Sequence, residues 1–423
     1  MHGLTFPVMP DLIPHLYSIY NYSTLNNYIL NDPIKCLSLR KKKDMDINNP
    51  FLITSDYVSA AYFCDREAET KMMIENILNG RNTVLISPRR MGKSGLIGHV
   101  FNTRAIKAAY RTFSIDLYAA SSLSEMVLFL GKAITDSLKT GGKKRMDTFI
   151  SLAKSLRPGM KLDTLSGQMK FDLSLGEIER PKDSLEEIFA YLDQSDKPCL
   201  VAIDEFQQIA EFPEENVLEL LRTRAQKCKN TLFIFSGSKR RMMERLFNDP
   251  SNPFYMSCEP LYLDPIDRDK YRQFACNHFL KESKTLDDAC FNWTYDLLEG
   301  HTWYVQRMLN ELFARTAAGK AATCETASGA LDHIIKAGSR AYEEQFSAIP
   351  SAQKQLLIAI AREGKAEHVT SMAFVKKHAL KSPSTVQSAL RILYDKEIVT
   401  KEHDAYFITN RFFAFWIRSR YVG

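Results

Sequence analysis

Eight residues constrain this chain more than any other feature: Ser87-Pro88-Arg89-Arg90-Met91-Gly92-Lys93-Ser94. They fall between a short apolar run, Thr83–Ile86, and a helical pattern that opens at Lys93. A strand turning through a glycine into a helix aims backbone N–H groups and the positive end of a helix dipole at one point. Such a turn is a phosphate cradle, and it binds strand, loop and helix into one unit. Lys93 is then placed to reach β- and γ-phosphates, and the Ser94 hydroxyl to hold Mg²⁺. Ser87, Pro88, Arg89, Arg90, Met91, Gly92 and Gly95 complete the candidate cradle. The loop departs from GxxxxGK[ST] in one respect, Ser87 standing for the first glycine. Gly-Lys also begins at Gly131, Gly142, Gly319 and Gly364, each time without a following Ser or Thr. Position between strand and helix therefore carries the signal, not the tripeptide.

A second element strengthens it. Leu200-Val201-Ala202-Ile203 reads as a buried strand, and Asp204-Glu205 emerge at its C-terminal end. In open α/β sheets ligands sit beyond that end. Asp204 is expected to bind Mg²⁺, directly or through water, and Glu205 to polarise the attacking water. The run Thr231–Phe235 ends in Ser236-Gly237-Ser238, where Ser236 either senses the γ-phosphate or belongs to a simple turn. Asp116 ends another strand, in a turn or cap position. Arg222 and Arg224 either supply a trans-acting arginine or line a solvated helix face.

Organisation along the chain fits this reading. Residues 1–48 lack steady periodicity, end in a basic run, and are expected to form a loosely ordered extension with no assigned function. Residues 49–264 alternate helical stretches, beginning with Asp65–Gly80, with strand-like runs at Thr83–Ile86, Thr112–Ile115, Leu200–Ile203, Thr231–Phe235 and Leu261–Leu263. That alternation predicts an α/β fold: a parallel sheet flanked by helices, as in P-loop NTPases. Met169, Phe171, Leu173 and Leu175 suggest a hairpin inserted before the third strand. Residues 265–349 read as a helical lid domain, broken near Ser283, Gly300 and Gly319. Residues 350–423 read as a winged helix-turn-helix: helices at Gln353–Arg362, Thr370–Ala379 and Thr385–Tyr394, the last capped by Ser384, then strands at Ile398–Lys401 and Tyr406–Thr409.

Composition excludes several classes. Over 423 residues, 45% are hydrophobic and 25% charged, the balance of a globular chain rather than a disordered or collagen-like one. No apolar run nears the roughly 20 residues that span a bilayer, so no membrane partner is expected. The eight cysteines form no CxxC pair, and no secretory signal opens the chain, which points to reduced thiols in the cytoplasm. The net charge of +6 resides wholly in residues 351–423, which suggests a polyanionic partner for the terminal module.

Together these residues resemble the archaeal-type ATPase domain family, a branch of the AAA+/STAND-like P-loop ATPases with a C-terminal winged helix, also found in bacteria. The matching pieces are Phe63-Cys64-Asp65-Arg66-Glu67, the loop at 87–94, and Asp204-Glu205-Phe206-Gln207. Further matches are Ser236-Gly237-Ser238 with Asn252-Pro253-Phe254-Tyr255, and the close of the winged helix at Tyr406–Thr409 and Phe413–Trp416. The resemblance spans about residues 49–420. It implies ATP and Mg²⁺ as cofactors, with Arg66 either near the adenine side or in a structural ion pair. Gly300-His301-Thr302 lacks the proline usual in the family's lid, and Arg307 nearby is a candidate γ-phosphate contact. Some relatives carry a further nuclease-like domain; the chain ends at Gly423, so no nuclease activity is expected.

In a helix-turn-helix the second helix enters the DNA major groove. Here Ser384, Thr385, Gln387, Ser388 and Arg391 are candidate base contacts, and Lys376, Lys377 and Lys381 candidate phosphate contacts; the same module serves elsewhere to hold proteins. The leading expectation is a Mg²⁺-dependent ATPase, converting ATP to ADP and phosphate slowly, that acts as a switch coupled to the winged helix. The catalytic group comprises Lys93, Glu205 and Ser236, with Ser94 and Asp204 on the metal. The alternative is a DNA-binding regulator whose nucleotide site is structural or inactive. A third reading has the chain forming a homo-oligomer, as rings or clusters, when ATP binds.

Overall fold

The computed structural model describes residues 49–53, 57, 59–138, 143–162, 169–171, 178–402 and 404–422. The expected N-terminal extension lies outside the described residues, as do Leu173 and Leu175.

Residues 59–264 build a five-stranded sheet. Its strands are β1 (Thr83–Ile86), β2 (Arg111–Asp116), β5 (Cys199–Asp204), β6 (Thr231–Gly237) and β7 (Glu259–Tyr262). The order is β2-β5-β6-β1-β7, every neighbour parallel. A short antiparallel hairpin, β3 (Met160–Leu162) with β4 (Met169–Phe171), precedes β5. The reason for the parallel arrangement is legible along the strands. β5 is buried from Cys199 to Ile203, and successive side chains enter opposite faces. Val84, Ile86, Val201, Ile203, Phe233 and Phe235 join one core; Leu85, Leu200, Ala202 and Ile234 join another.

Helices cover both faces. α1 (Glu67–Leu78), α2 (Lys93–Asn102) and α3 (Arg104–Ala109) bring Met73, Ile77, Leu96, Val100 and Ile106 to the second core. Four helices cover the first core: α4 (Leu123–Leu138), α6 (Pro181–Asp193), α7 (Val217–Lys227) and α8 (Arg240–Asn248), with α5 (Lys143–Leu152) beside them. Burying each large apolar side chain stabilises the layer by roughly 1.5–3 kcal/mol.

The remainder belongs to the same compact unit, residues 49–423, and has one continuous core of its own. Its first part comprises α9 (Arg268–Lys281), α10 (Asp288–Leu297), α11 (Thr302–Arg315) and α12 (Cys324–Ser347), with two two-residue strands, β8 (Thr285–Leu286) and β9 (Ala321–Ala322), paired between them. The second part is α13 (Ser351–Glu363), β10 (Ala366–Glu367), α14 (Met372–Lys377), α15 (Pro383–Asp395), β11 (Val399–Glu402), β12 (Ala405–Ile408) and α16 (Arg411–Tyr421). The strands run β10-β12-β11, giving the wing a third strand not apparent from the sequence.

Three expectations shift. Residues 265–349 are not helical throughout, because β8 and β9 pair. Phe51 packs among Phe279 and Phe313 of the lid core, and Asn310 Nδ2 donates to its carbonyl at 2.8 Å, so the segment at 49–53 packs with the lid. Helix α15 is capped by Ser382, not Ser384. The Ser382 hydroxyl accepts from Thr385 N–H at 3.2 Å, and Pro383 fills the first helical position, where no N–H is needed. Lid and winged helix share Tyr342, Phe346, Phe413 and Trp416, and Trp416 Nε1 donates to Ser339 Oγ at 2.9 Å.

Candidate nucleotide-binding site

The sheet brings the loop and the acids together. β1 runs into Ser87–Gly92, and Gly92 caps α2 with φ +93°, a conformation that favours glycine. One strand, β6, separates β1 from β5, so Asp204 and Glu205 leave the sheet beside the loop. The Ser94 hydroxyl donates to Asp204 Oδ2 at 2.7 Å. Asp204 Oδ1 accepts from Ser236 Oγ at 2.6 Å and from Glu205 N–H at 3.0 Å. Ser236 is fully buried, so its hydroxyl acts on Asp204.

Glu205 sits at φ +51°, off the regular strand path. Its Oε2 accepts from Ser238 Oγ at 2.7 Å and from the Gln207 amide. Gln207 fits because residue 237 is glycine: a Cβ there would lie 2.2 Å from Gln207 Oε1. Asp116 Oδ1 accepts from Tyr118 N–H at 2.8 Å, the geometry of a turn. Loss of water at the crowded strand end, with Asp204 and Glu205 nearby, pushes its carboxyl up, against the Tyr118 N–H and Arg89.

Lys93 is buried, with its ammonium 3.5 Å from the Ser87 carbonyl. Burial pulls its proton affinity below the ordinary lysine value; Glu205 and Asp204 act in the other direction. A buried ammonium with one long hydrogen bond beside two acids is a cation suited to a phosphate. Ser94 and Asp204 together offer hydroxyl and carboxylate oxygens, the hard donors that Mg²⁺ takes. The donor set therefore fits that ion.

The lid grips the same loop. Trp303 N–H donates to the Arg90 carbonyl at 3.0 Å, and Thr302 Oγ1 to the Met91 carbonyl at 3.3 Å. The Arg90 guanidinium lies 4.0 Å from the Trp303 ring centroid and 4.9 Å from that of Tyr304. Arg66 Nη1 pairs with Glu69 at 2.7 Å, and Nη2 donates to the Met91 carbonyl at 3.3 Å. Arg66 therefore meets the loop through an ion pair and a backbone contact. Arg307 is directed elsewhere, onto Glu311 at 3.1 Å. Arg224 pairs with Glu186 and Arg222 donates to the Pro253 carbonyl at 3.2 Å, so both are held locally.

The fold has solved counterparts. A Walker-type ATPase of Pyrococcus abyssi superposes with a TM-score of 0.59 at 19% identity, over 87% of this chain and 99% of its own. A family model described as "probable winged helix domain" matches residues 340–419. The chain has the fold of a Walker-type P-loop ATPase joined to a winged helix. Looser similarity extends to the ORC1 protein of Aeropyrum pernix, solved with DNA (TM-score 0.47, 13% identity, 85% of this chain and 93% of that one). It extends also to the RuvB branch-migration motor of Thermotoga maritima (0.43, 10%, 85% and 96%). The search of curated proteins gave no match. Among the described residues of this P-loop ATPase fold, no helix is long and apolar enough to cross a membrane.

Several residues at the site escaped the sequence reading. Trp303 reaches the loop from a distant helix, beside Thr302, which the sequence marked only as part of the lid motif. Lys239 and Glu397 meet beside it: Glu397 Oε2 lies 2.7 Å from Arg89 Nη1 and Oε1 lies 3.4 Å from Lys239 Nζ. Lys239 had one usable signal, a cation just past the end of a buried strand.

Proposed function

We propose that this chain binds Mg²⁺ and ATP between the 87–94 loop and the end of β5, and hydrolyses ATP to ADP and phosphate. The observation that carries the reading is the 2.7 Å bond from Ser94 to Asp204, which joins the loop to the acidic strand end. Backbone N–H groups near Gly92 and the start of α2 would receive the β-phosphate, and Lys93 would neutralise the charge developing on the terminal phosphate. When bound, Mg²⁺ supplies positive charge to the phosphate oxygens. Ser236 positions Asp204. Glu205, held by Gln207 and Ser238, aligns the attacking water.

Connectivity supports a switch role. The lid touches the loop through Thr302 and Trp303, and Tyr304, the next residue, donates to the Thr409 carbonyl of the winged helix at 2.9 Å. Arg411 pairs with Glu299 at 2.9 Å across the same joint. A change at the phosphates would reach the winged helix through one shared core. We assign double-stranded DNA as the partner of that module, because Ser384, Gln387, Ser388 and Arg391 lie exposed along α15 with Lys376 and Lys381 nearby. Gel shifts on mixed-sequence duplex, at low and high salt, with and without ATP, test the coupling. ATP-dependent, salt-sensitive binding supports it. Salt-sensitive binding indifferent to ATP would favour the DNA-binding regulator with an inactive nucleotide site.

A further inference from the structure

The contact between Glu397 and the phosphate loop serves no purpose in the reading above. Glu397 occupies the tight turn between α15 and β11 with φ +54°, its N–H donating to the Tyr394 carbonyl at 2.9 Å. That turn holds its carboxylate across two cations from different strand ends. Arg89 lies three residues beyond Ile86 of β1, and Lys239 two residues beyond Gly237 of β6. Ile86 and Gly237 are register partners, so both cations stand at one mouth of the sheet. Arg89 is close enough to Lys93, Glu205 and Asp116 for its charge to act on each.

The cation pair has supports besides Glu397. The Arg89 guanidinium lies 4.7 Å from the Tyr118 ring centroid, and Lys239 Nζ lies 3.1 Å from Glu211 Oε1. What Glu397 adds is an anion with two oxygens, one on each cation. All three side chains are partly open to solvent, at 37% for Arg89, 29% for Lys239 and 30% for Glu397. An exposed carboxylate pair is weak, whereas a phosphate offers more charge and more acceptor oxygens to the same donors.

We propose that Arg89 and Lys239 form a binding site for the terminal phosphate of a nucleoside triphosphate, which Glu397 fills when no nucleotide is bound. ATP then displaces Glu397, and ADP, lacking that phosphate, does not. The winged helix shares its core with the lid, so loss of the Glu397 contact frees one edge of the whole body from the loop. The proposal rests on reading the crevice as an ATP site; it adds Lys239 and a reason for triphosphate selectivity.

The test is calorimetric titration of ATP and of ADP, each with Mg²⁺, into wild type, Glu397→Gln and Lys239→Gln. Glu397→Gln is expected to tighten ATP by about fivefold or more and leave ADP within about twofold, since it removes a competitor for one state only. Lys239→Gln is expected to weaken ATP by a similar factor and spare ADP. A second readout is independent of affinity: hydrogen exchange across residues 394–398. It is expected to quicken in nucleotide-free Glu397→Gln, and in wild type with ATP but not with ADP. Equal effects on both nucleotides, or none, would overturn the proposal while leaving the ATP site intact. Failure of wild type to bind either nucleotide would overturn both.

Discussion

Ser94 and Asp204, 110 residues apart, share a 2.7 Å hydrogen bond that ties the phosphate loop to the acidic end of the sheet. A cation held there needs the negative oxygen of Asp204, and the amide of an Asp204→Asn variant cannot supply it. Wild type is expected to bind ATP more than about tenfold tighter with Mg²⁺ than with chelator present, and Asp204→Asn to lose most of that difference. Titrations with and without chelator measure it directly.

Lys93 sets a pH dependence whose sign is fixed. Its folded-state proton affinity is pulled below the ordinary 10.5 by burial, so between the folded value and 10.5 the unfolded chain binds more protons. Stability of the nucleotide-free protein should therefore rise with pH across that window, and fall as pH drops through the folded value. ATP affinity should move the other way, since phosphate requires the ammonium, losing up to about tenfold per pH unit. Thermal unfolding and nucleotide titration from pH 7 to 10 test both trends. Lys93→Met should lose the rise in stability.

Arg90 stacks on Trp303 and Tyr304, joining loop to lid. A partly buried cation–π contact is worth about 0.5–2 kcal/mol, and Trp303→Ala should lower the unfolding free energy by at least that range. Of the three tryptophans, Trp303 is the one whose ring packs against Arg90 of the loop, so its emission should change when ATP binds. In Trp303→Phe that change should disappear while ATP affinity persists.

Phe413 lies 1% exposed in a core common to lid and winged helix. Phe413→Ala should cost about 3–5 kcal/mol. Because the core is continuous, hydrogen exchange in α12 and in α15 should accelerate together. Acceleration confined to the winged helix would mean that the two parts unfold independently.

Much of this fold can be read from the chain because local rules agree with the global arrangement. The strands are apolar on both faces, which demands covering helices, and the loop at 87–94 forces a strand-to-helix turn. Asp204 and Glu205 were visible because they end such a strand. Contacts between parts of the chain far apart in sequence were not. Glu397 meets Arg89 across 308 residues, and nothing in its own neighbourhood marks it. Ser384 and Ser382 are both good caps by composition, and the choice depends on where Pro383 falls. Phe51 looks like the opening of the sheet domain, yet its ring packs in the lid core against Phe279 and Phe313.

Phosphate release from ATP by wild type, Glu205→Gln and Lys93→Ala measures the central claim most directly. Wild type should turn over slowly with Mg²⁺. Glu205→Gln should keep ATP bound while turnover falls by about 10²-fold or more, and Lys93→Ala should neither bind nor hydrolyse it. Turnover undiminished in both variants would contradict the assignment of the crevice between the loop and β5 as the site of hydrolysis.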